Sequence, residues 1–137
     1  MSQVSVTGVE KKHYVGVDSG KHSVIMSAQD DENKTGNKPS DLLLLALGGC
    51  AGVDLIEILH KQRQKVIGLQ MVISGDQNAD PPWAFNKIHM EVIVRGAGLS
   101  AQAVERAIDL AVTKYCSVAA TIRDTAPITT GFRLVEE

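Results

Sequence analysis

Polar and apolar residues alternate along the first 27 residues, which predicts a set of short β-strands. The alternation runs through Val4–Gly8 and again through His22–Ser27. Between these segments, Asp18–Gly20 has the composition of a tight turn, so we expect a hairpin that joins Tyr14–Val17 to His22–Ser27. Residues 28–38 are polar and are expected to form a surface loop.

Three further strands are predicted by the same two-residue period in the rest of the chain. Their apolar faces are formed by Ile67, Leu69, Met71 and Ile73, by Ile88, Met90, Val92 and Val94, and by Ile128, Thr130, Phe132 and Leu134. The Asp80–Pro82 segment falls in the loop between the first two of these strands.

Helical periodicity occupies the segments between these strands. A first helix begins at Pro39, and four consecutive leucines, Leu42–Leu45, leave it no polar face, so we expect that part to be buried on every side. The adjacent Gly48 and Gly49 weaken a helix, which indicates a close approach to the backbone. A second helix begins near Ser100, and the chain breaks near Cys116 before a short helix.

The resulting order is three strands, a helix, two strands, two helices and a last strand. This order predicts an α+β fold in which the helices are segregated from a largely antiparallel sheet. No repeat or interdomain linker interrupts the 137 residues, so we expect a single domain over residues 1–137.

Composition excludes several functional classes. The net charge is −2 and the basic residues are scattered, so no face is suited to nucleic acid. The N-terminus has no secretory pattern, and the apolar run Leu42–Val53 is only 12 residues long, too short to span a bilayer. We therefore expect a cytoplasmic protein with no membrane partner. Two cysteines without a CxxC motif do not suit a zinc site, and no metal or cofactor is predicted.

The two cysteines are the main candidates for chemistry. In a reducing compartment they are free thiols or partners in a transient disulfide, although free cysteine is more often a small core residue. Burial inside an apolar helix would raise the pKa of Cys50, whereas a position at a helix start would lower that of Cys116. Local physics thus favours Cys116 as the more acidic thiol.

Two motifs resemble those of the OsmC/Ohr family. Residues 39–50, PSDLLLLALGGC, are similar to the family's Pro-x-Glu-Leu-Leu-x-x-Ala-Leu-Gly-x-Cys helix, and Lys114–Val118 resembles its second cysteine motif. The order of elements also matches over the whole chain. The resemblance implies an intertwined homodimer with antiparallel sheets around a central buried Cys-bearing helix. It also implies a thiol-dependent peroxidase for organic hydroperoxides.

By this resemblance Cys50 is the attacking thiol, Cys116 the resolving thiol, and Asp41 stands where the family has a glutamate. Asp41 has a simpler interpretation as a first-turn residue favoured by the helix dipole. The family's arginine has no counterpart, since the first 40 residues contain none. In this chain a nearby cation is therefore still required to ionise Cys50.

We accordingly expect an OsmC-like redox protein of oxidative-stress defence that uses a hydroperoxide and an external thiol reductant. The alternative is a non-catalytic dimer of the same fold that binds an apolar or thiol ligand. A thiol–disulfide regulator is a third possibility. Sequence alone does not separate it from the peroxidase.

Overall fold

A computed structural model describes all 137 residues and contains the predicted order of strands and helices. The α+β class is confirmed. The elements are β1 (Ser5–Glu10), β2 (His13–Val17), β3 (Ser23–Ser27), α1 (Pro39–Lys61), β4 (Lys65–Gln77), β5 (Phe85–Ala97), α2 (Ala101–Leu110), a π-helical segment (Ala111–Tyr115), α3 (Ser117–Ile122) and β6 (Ile128–Glu136).

The chain forms two compact units, Met1–Leu43 and Leu44–Glu137. In the first unit, β1, β2 and β3 form an antiparallel sheet in that order, with the predicted hairpin between β2 and β3. Asp18 organises the hairpin turn, because its Oδ1 accepts the backbone N–H groups of Gly20 and His22, both at 2.8 Å. Such a side-chain bond to the next residues is the usual reason for aspartate in a turn.

The second unit contains a three-stranded sheet in the order β4-β5-β6. Strands β4 and β5 pair antiparallel, as predicted, whereas β5 and β6 pair parallel. This parallel pair is the exception to the expected antiparallel pattern. It arises because the chain passes through α2, the π segment and α3 before β6, and only such a long crossover can return a strand in the same direction.

The core of the second unit lies on one face of the central strand β5. Four alternating side chains of this strand are fully or almost fully buried: Ile88, Met90, Val92 and Val94. They belong to one apolar cluster with helix residues Leu47, Ala51, Leu55, Leu59, Val104, Ala107, Ile108 and Ala111. The predicted apolar face of β5 is therefore the face that forms this core, together with one face of α2.

One residue of the predicted β4 face is misplaced. Ile67 is 61% exposed, because the pairing with β5 is irregular between Val66 and Gly68. An extra residue at a bulge shifts the two-residue alternation, so Val66 and Leu69 face the core while Ile67 does not. The expectation for Leu69, Met71 and Ile73 is met.

Helix α1 is buried on one face only within a single chain. Its buried residues are Leu47, Gly48, Ala51, Gly52, Leu55 and Leu59. On another side, Leu45 is 59% and Val53 67% exposed, so the expectation of burial on every side does not hold within one chain. This helix is also long and apolar enough to cross a membrane. The core helices of soluble proteins can meet the same criterion of length and composition.

Candidate active site

Cys50 is positioned by the close packing of α1 against β4. A Cβ atom on Gly48 would lie 2.7 Å from Ile73 Cδ1, and one on Gly52 would lie 2.6 Å from Met71 Cε. These two glycines, four residues apart, let the helix approach the sheet more closely than any larger residue would allow. Gly49 meets nothing within 4 Å. The close approach predicted from the glycine pair therefore occurs at Gly48, and Cys50 lies two residues further on, partly exposed.

Cys116 is positioned by the π-helical segment that follows α2. Its backbone N–H donates to the carbonyl of Ala111 at 2.8 Å, the five-residue spacing of a π turn. Cys116 then adopts an extended backbone conformation and caps α3, as the sequence predicted. Its sulfur accepts the backbone N–H of Ala119 at 3.3 Å, and the residue is 2% exposed.

The two thiols lie against each other although 66 positions separate them in the sequence. The Cys116 side chain forms a hydrogen bond with the Cys50 sulfur. The hydroxyl of Ser117 lies 3.8 Å from Cys50 Sγ, and the backbone N–H groups of Ser117 and Val118 also face that sulfur. The start of α3 thus surrounds Cys50 with hydrogen-bond donors.

These donors make Cys50 the more acidic thiol. Burial acts to raise the pKa of Cys50, but hydrogen bonds from Cys116, Val118 and Ser117 outweigh it and leave this pKa below its ordinary value. None of these main causes is a cation. Hydrogen bonds to a thiolate stabilise the charged form. These hydrogen bonds therefore supply part of the thiolate stabilisation that the sequence analysis assigned to a nearby cation.

Cys116 shows the opposite shift. Burial, followed by its hydrogen bond to Cys50, raises the pKa of the Cys116 thiol to about 11, and the N–H of Ala119 offsets only part of this. The expectation that Cys116 is the more acidic thiol was therefore wrong. It considered the helix start beside Cys116 and omitted the burial of that thiol and the neighbouring Cys50.

This geometry suits a two-cysteine reaction. A partly exposed sulfur of lowered pKa is the better nucleophile, because the thiolate and not the thiol attacks. A buried, protonated thiol in contact with it is placed to condense with an oxidised form of the first sulfur. The structure brings Cys50 and Cys116 together, as the candidate chemistry requires.

The third candidate, Asp41, lies exposed in the first turn of α1, nine positions before Cys50 in the chain. Its backbone N–H donates to the carbonyl of Lys38 at 3.0 Å. A role for its carboxylate in catalysis remains a prediction. No group of three or more His, Cys, Asp or Glu side chains lies close enough together to hold a metal ion.

Sequence reasoning missed the donors of Ser117 and Val118. A signal for them was present, since the first N–H groups of any helix have no partner within that helix. A cysteine that caps a short helix therefore leaves two free donors directly after it. Only the three-dimensional structure shows that they are directed at Cys50.

Comparison with known proteins identifies the family. The family model for OsmC-like proteins matches residues 9–131. The chain belongs to the OsmC-like family. Protein YhfA of Escherichia coli K12 is 32% identical over 133 residues, which span 97% of this chain and 98% of YhfA.

Solved structures support the same fold. An OsmC-like protein from Mycoplasma pneumoniae is 15% identical and superposes with a TM-score of 0.86, covering 98% of this chain and 97% of that one. The organic hydroperoxide resistance protein OhrB of Bacillus subtilis is 14% identical, with a TM-score of 0.66 over 97% of this chain and 98% of that one. At these identities the likeness shows a shared fold.

Proposed function

We propose that this protein is a thiol-dependent redox protein that reduces organic hydroperoxides in oxidative-stress defence, with Cys50 as attacking and Cys116 as resolving thiol. The observation that carries the proposal is the placement of the two thiols together: the Cys116 side chain hydrogen-bonds the Cys50 sulfur, and the hydroxyl of Ser117, the next residue, lies 3.8 Å from it. Membership of a family with redox-related members supports it, as does a neighbour in fold that is named for organic hydroperoxide resistance.

In the proposed reaction, the Cys50 thiolate attacks the terminal oxygen of a hydroperoxide ROOH. The O–O bond breaks, Cys50 becomes a sulfenic acid, and the alkoxide leaves and takes up a proton to give ROH. Cys116 then gives up its proton and its sulfur attacks the Cys50 sulfur; the S–S bond forms as the S–OH bond breaks, and the hydroxide leaves with that proton as water. Two equivalents of an external thiol reduce this disulfide by exchange and return both cysteines to the thiol form.

The surroundings of Cys50 favour an apolar substrate. Ala46, Gly49 and Val53 lie within one helical turn of Cys50, and all three are exposed. None of these three carries a polar side chain, so the polar groups near the sulfur are the Ser117 hydroxyl and Asp54, one turn further along α1. An alkyl or aryl hydroperoxide would bury apolar surface against this helix face, which stabilises its complex relative to that of hydrogen peroxide.

The proposal includes a homodimer. Exposed apolar side chains occur in each unit: Val4, Val6 and Val9 in the first, and Leu45 and Ile67 in the second. A second copy that covers such residues would remove apolar surface from water. We propose that residues 1–137 act as one OsmC-like domain in each subunit of a cytoplasmic dimer. Asp41 is the third proposed site residue, by analogy with the family's glutamate.

Thiol titration combined with intact-mass analysis tests the proposal. The reduced protein, Cys50→Ser and Cys116→Ser are each treated with one equivalent of cumene hydroperoxide. We expect the wild-type protein to lose two thiols and two hydrogens within seconds. We expect Cys116→Ser to hold a sulfenic acid on Cys50 that dimedone captures, and Cys50→Ser to remain unchanged.

Hydrogen peroxide at the same concentration is the matched control for substrate class, and it should oxidise Cys50 more slowly. If both wild-type thiols survive cumene hydroperoxide for minutes, the peroxidase proposal fails. The non-catalytic dimer that binds an apolar or thiol ligand is then the better account. A sulfenic acid on Cys116 instead of Cys50 would overturn the assignment of the two roles.

A further inference from the structure

The side chain of Ser117 contacts Cys50. It is the first residue of α3 and directly follows the resolving cysteine. Its backbone carbonyl accepts the hydroxyl of Thr121 at 2.8 Å, an ordinary bond within a helical turn. Its own hydroxyl lies 3.8 Å from Cys50 Sγ, a hydrogen-bonding distance for the large sulfur atom. The hydroxyl is thus directed away from its own helix towards the other cysteine.

Ionisation of Cys50 fixes the direction of this bond. While Cys50 is a thiol, either the sulfur or the hydroxyl oxygen can donate the proton. A thiolate has no proton left and can only accept, so the Ser117 hydroxyl then becomes the donor. A hydrogen bond to an ionised group is roughly twice as strong as one between neutral groups. The contact therefore stabilises the thiolate more than the thiol.

The other donors to this sulfur cannot be varied independently. Cys116 takes part in the proposed reaction itself, and the N–H groups of Ser117 and Val118 belong to the backbone. Cys116 Sγ already accepts the N–H of Ala119, so its S–H remains to donate to Cys50. The Ser117 hydroxyl is the one donor from a side chain that has no other part in the chemistry.

We propose that Ser117 is a catalytic residue whose hydroxyl holds the Cys50 thiolate in its reactive, ionised form, in place of a cation. Its catalytic role rests on the proposed function. Its stabilisation of the thiolate does not depend on that function, because any reagent that alkylates thiolates can measure it. When Cys50 becomes a sulfenic acid the sulfur loses its charge and its bond to the Ser117 hydroxyl weakens, while Cys116 is already beside that sulfur.

The rate of Cys50 alkylation by iodoacetamide as a function of pH tests this role without a peroxide. The modified Cys50 peptide is quantified by mass spectrometry in wild type, Ser117→Ala, Ser117→Thr and Thr121→Ala. Ser117→Thr keeps the hydroxyl, and Thr121→Ala removes an exposed hydroxyl from the same helix that does not face the sulfur. All four proteins are first compared by thermal unfolding.

We expect Ser117→Ala to react about three- to tenfold more slowly at pH 7, which corresponds to a rise of about half to one unit in the pKa of Cys50. The difference should vanish above the pKa of Cys50 in both proteins, because the thiol is then fully ionised without help. Ser117→Thr and Thr121→Ala should stay within about twofold of the wild type at all pH values.

Two results would overturn the role of Ser117. One is a Ser117→Ala profile within twofold of the wild type, and the other is an equal loss in Thr121→Ala. Parallel oxidation by cumene hydroperoxide separates this proposal from the proposed function. A shifted alkylation profile in a protein that hydroperoxide does not oxidise would refute the peroxidase and leave the Ser117–Cys50 bond supported. Hydroperoxide oxidation at the same rate in wild type and Ser117→Ala would refute the role of Ser117 alone.

Discussion

Cys50 and Cys116 are in contact, but one lies in the middle of a long helix and the other at the start of a short one. Cys50 lies in the interior of the 23-residue helix α1, where its own helix offers its sulfur no free donor. Cys116 caps the six-residue helix α3 and takes the N–H of Ala119 on its sulfur. From its own helix alone, Cys116 should be the more acidic thiol.

The surroundings reverse this order. The Ala119 N–H lowers the pKa of Cys116, but burial and the neighbouring Cys50 raise it by more. Cys50 is partly exposed and receives donors from the start of α3, which lower its pKa despite burial. The start of a helix can therefore activate a thiol other than its own cap. The thiol whose pKa is lowered is the one that faces the free N–H groups and remains close to solvent.

The largest expected effect is a difference in alkylation rate between the two thiols at pH 7.5. The pKa of Cys50 lies below its ordinary value of 9.0, and that of Cys116 lies at about 11. Because the pKa of Cys116 lies above that of Cys50 and Cys116 is also buried, Cys50 should react about tenfold or more faster. As the pH is raised, the Cys50 rate should level off first, whereas that of Cys116 should keep rising towards pH 11.

Peptide-resolved iodoacetamide labelling measures both rates in one sample. Unfolded protein in urea is the control, in which the two peptides should react at similar rates. Faster labelling of Cys116 than of Cys50 in the native protein would contradict the structural account of both thiols.

The next largest effect concerns the glycine that holds α1 close to the sheet. Gly48→Val should lower the free energy of unfolding by about 1–3 kcal/mol, because the new side chain meets Ile73. By lifting α1 from β4 it should also reduce the labelling difference between the two cysteines. Gly49→Val is the matched control, since nothing lies within 4 Å of a Cβ at that position. Urea unfolding measures the stability of both variants. Equal losses in free energy of unfolding would show that packing against Ile73 is not the cause.

A smaller effect should follow from removal of the Cys116 thiol. Cys116→Ala removes a donor to the Cys50 thiolate, so the pKa of Cys50 should rise and its alkylation at pH 7 should slow by about threefold or more. Cys116→Ser keeps an O–H donor and should lie between this variant and the wild type. The pH profile of Cys50 alkylation measures all three proteins. Identical profiles would mean that the contact between the side chains does not affect ionisation.

Local patterns were sufficient to predict most of the fold. Alternation located β5 and β6, and helical periodicity with a capping serine located α2, whose Ser100 side chain accepts the N–H of Ala103 at 3.2 Å. The misplacement of Ile67 has a clear cause, because a bulge depends on pairing with another strand. The parallel pairing of β6 likewise depends on contacts between distant segments.

The candidate site likewise has parts that the nearby sequence predicts and parts that depend on distant contacts. Both cysteines, the capping position of Cys116 and the break before α3 could be predicted, because they depend on the nearby sequence. The ionisation order could not, because it depends on contacts between residues 50 and 116–118 that no local pattern encodes. The resemblance to a known family assigned Cys50 as nucleophile where local physics favoured Cys116.

The smallest expected effect separates the two interpretations of Asp41. As a first-turn residue, its carboxylate stabilises α1 through the helix dipole, so Asp41→Asn should lower the free energy of unfolding by about 0.3–1 kcal/mol. If it also assists catalysis, as the proposed analogy implies, oxidation of Cys50 by cumene hydroperoxide should slow by about two- to fivefold. A contribution of roughly 0.5–1 kcal/mol to the barrier gives this change. Asp41→Glu restores the carboxylate that the family has here and should recover both quantities. A loss of stability with an unchanged oxidation rate would leave Asp41 as a helix-start residue and restrict the chemistry to the two cysteines and their donors.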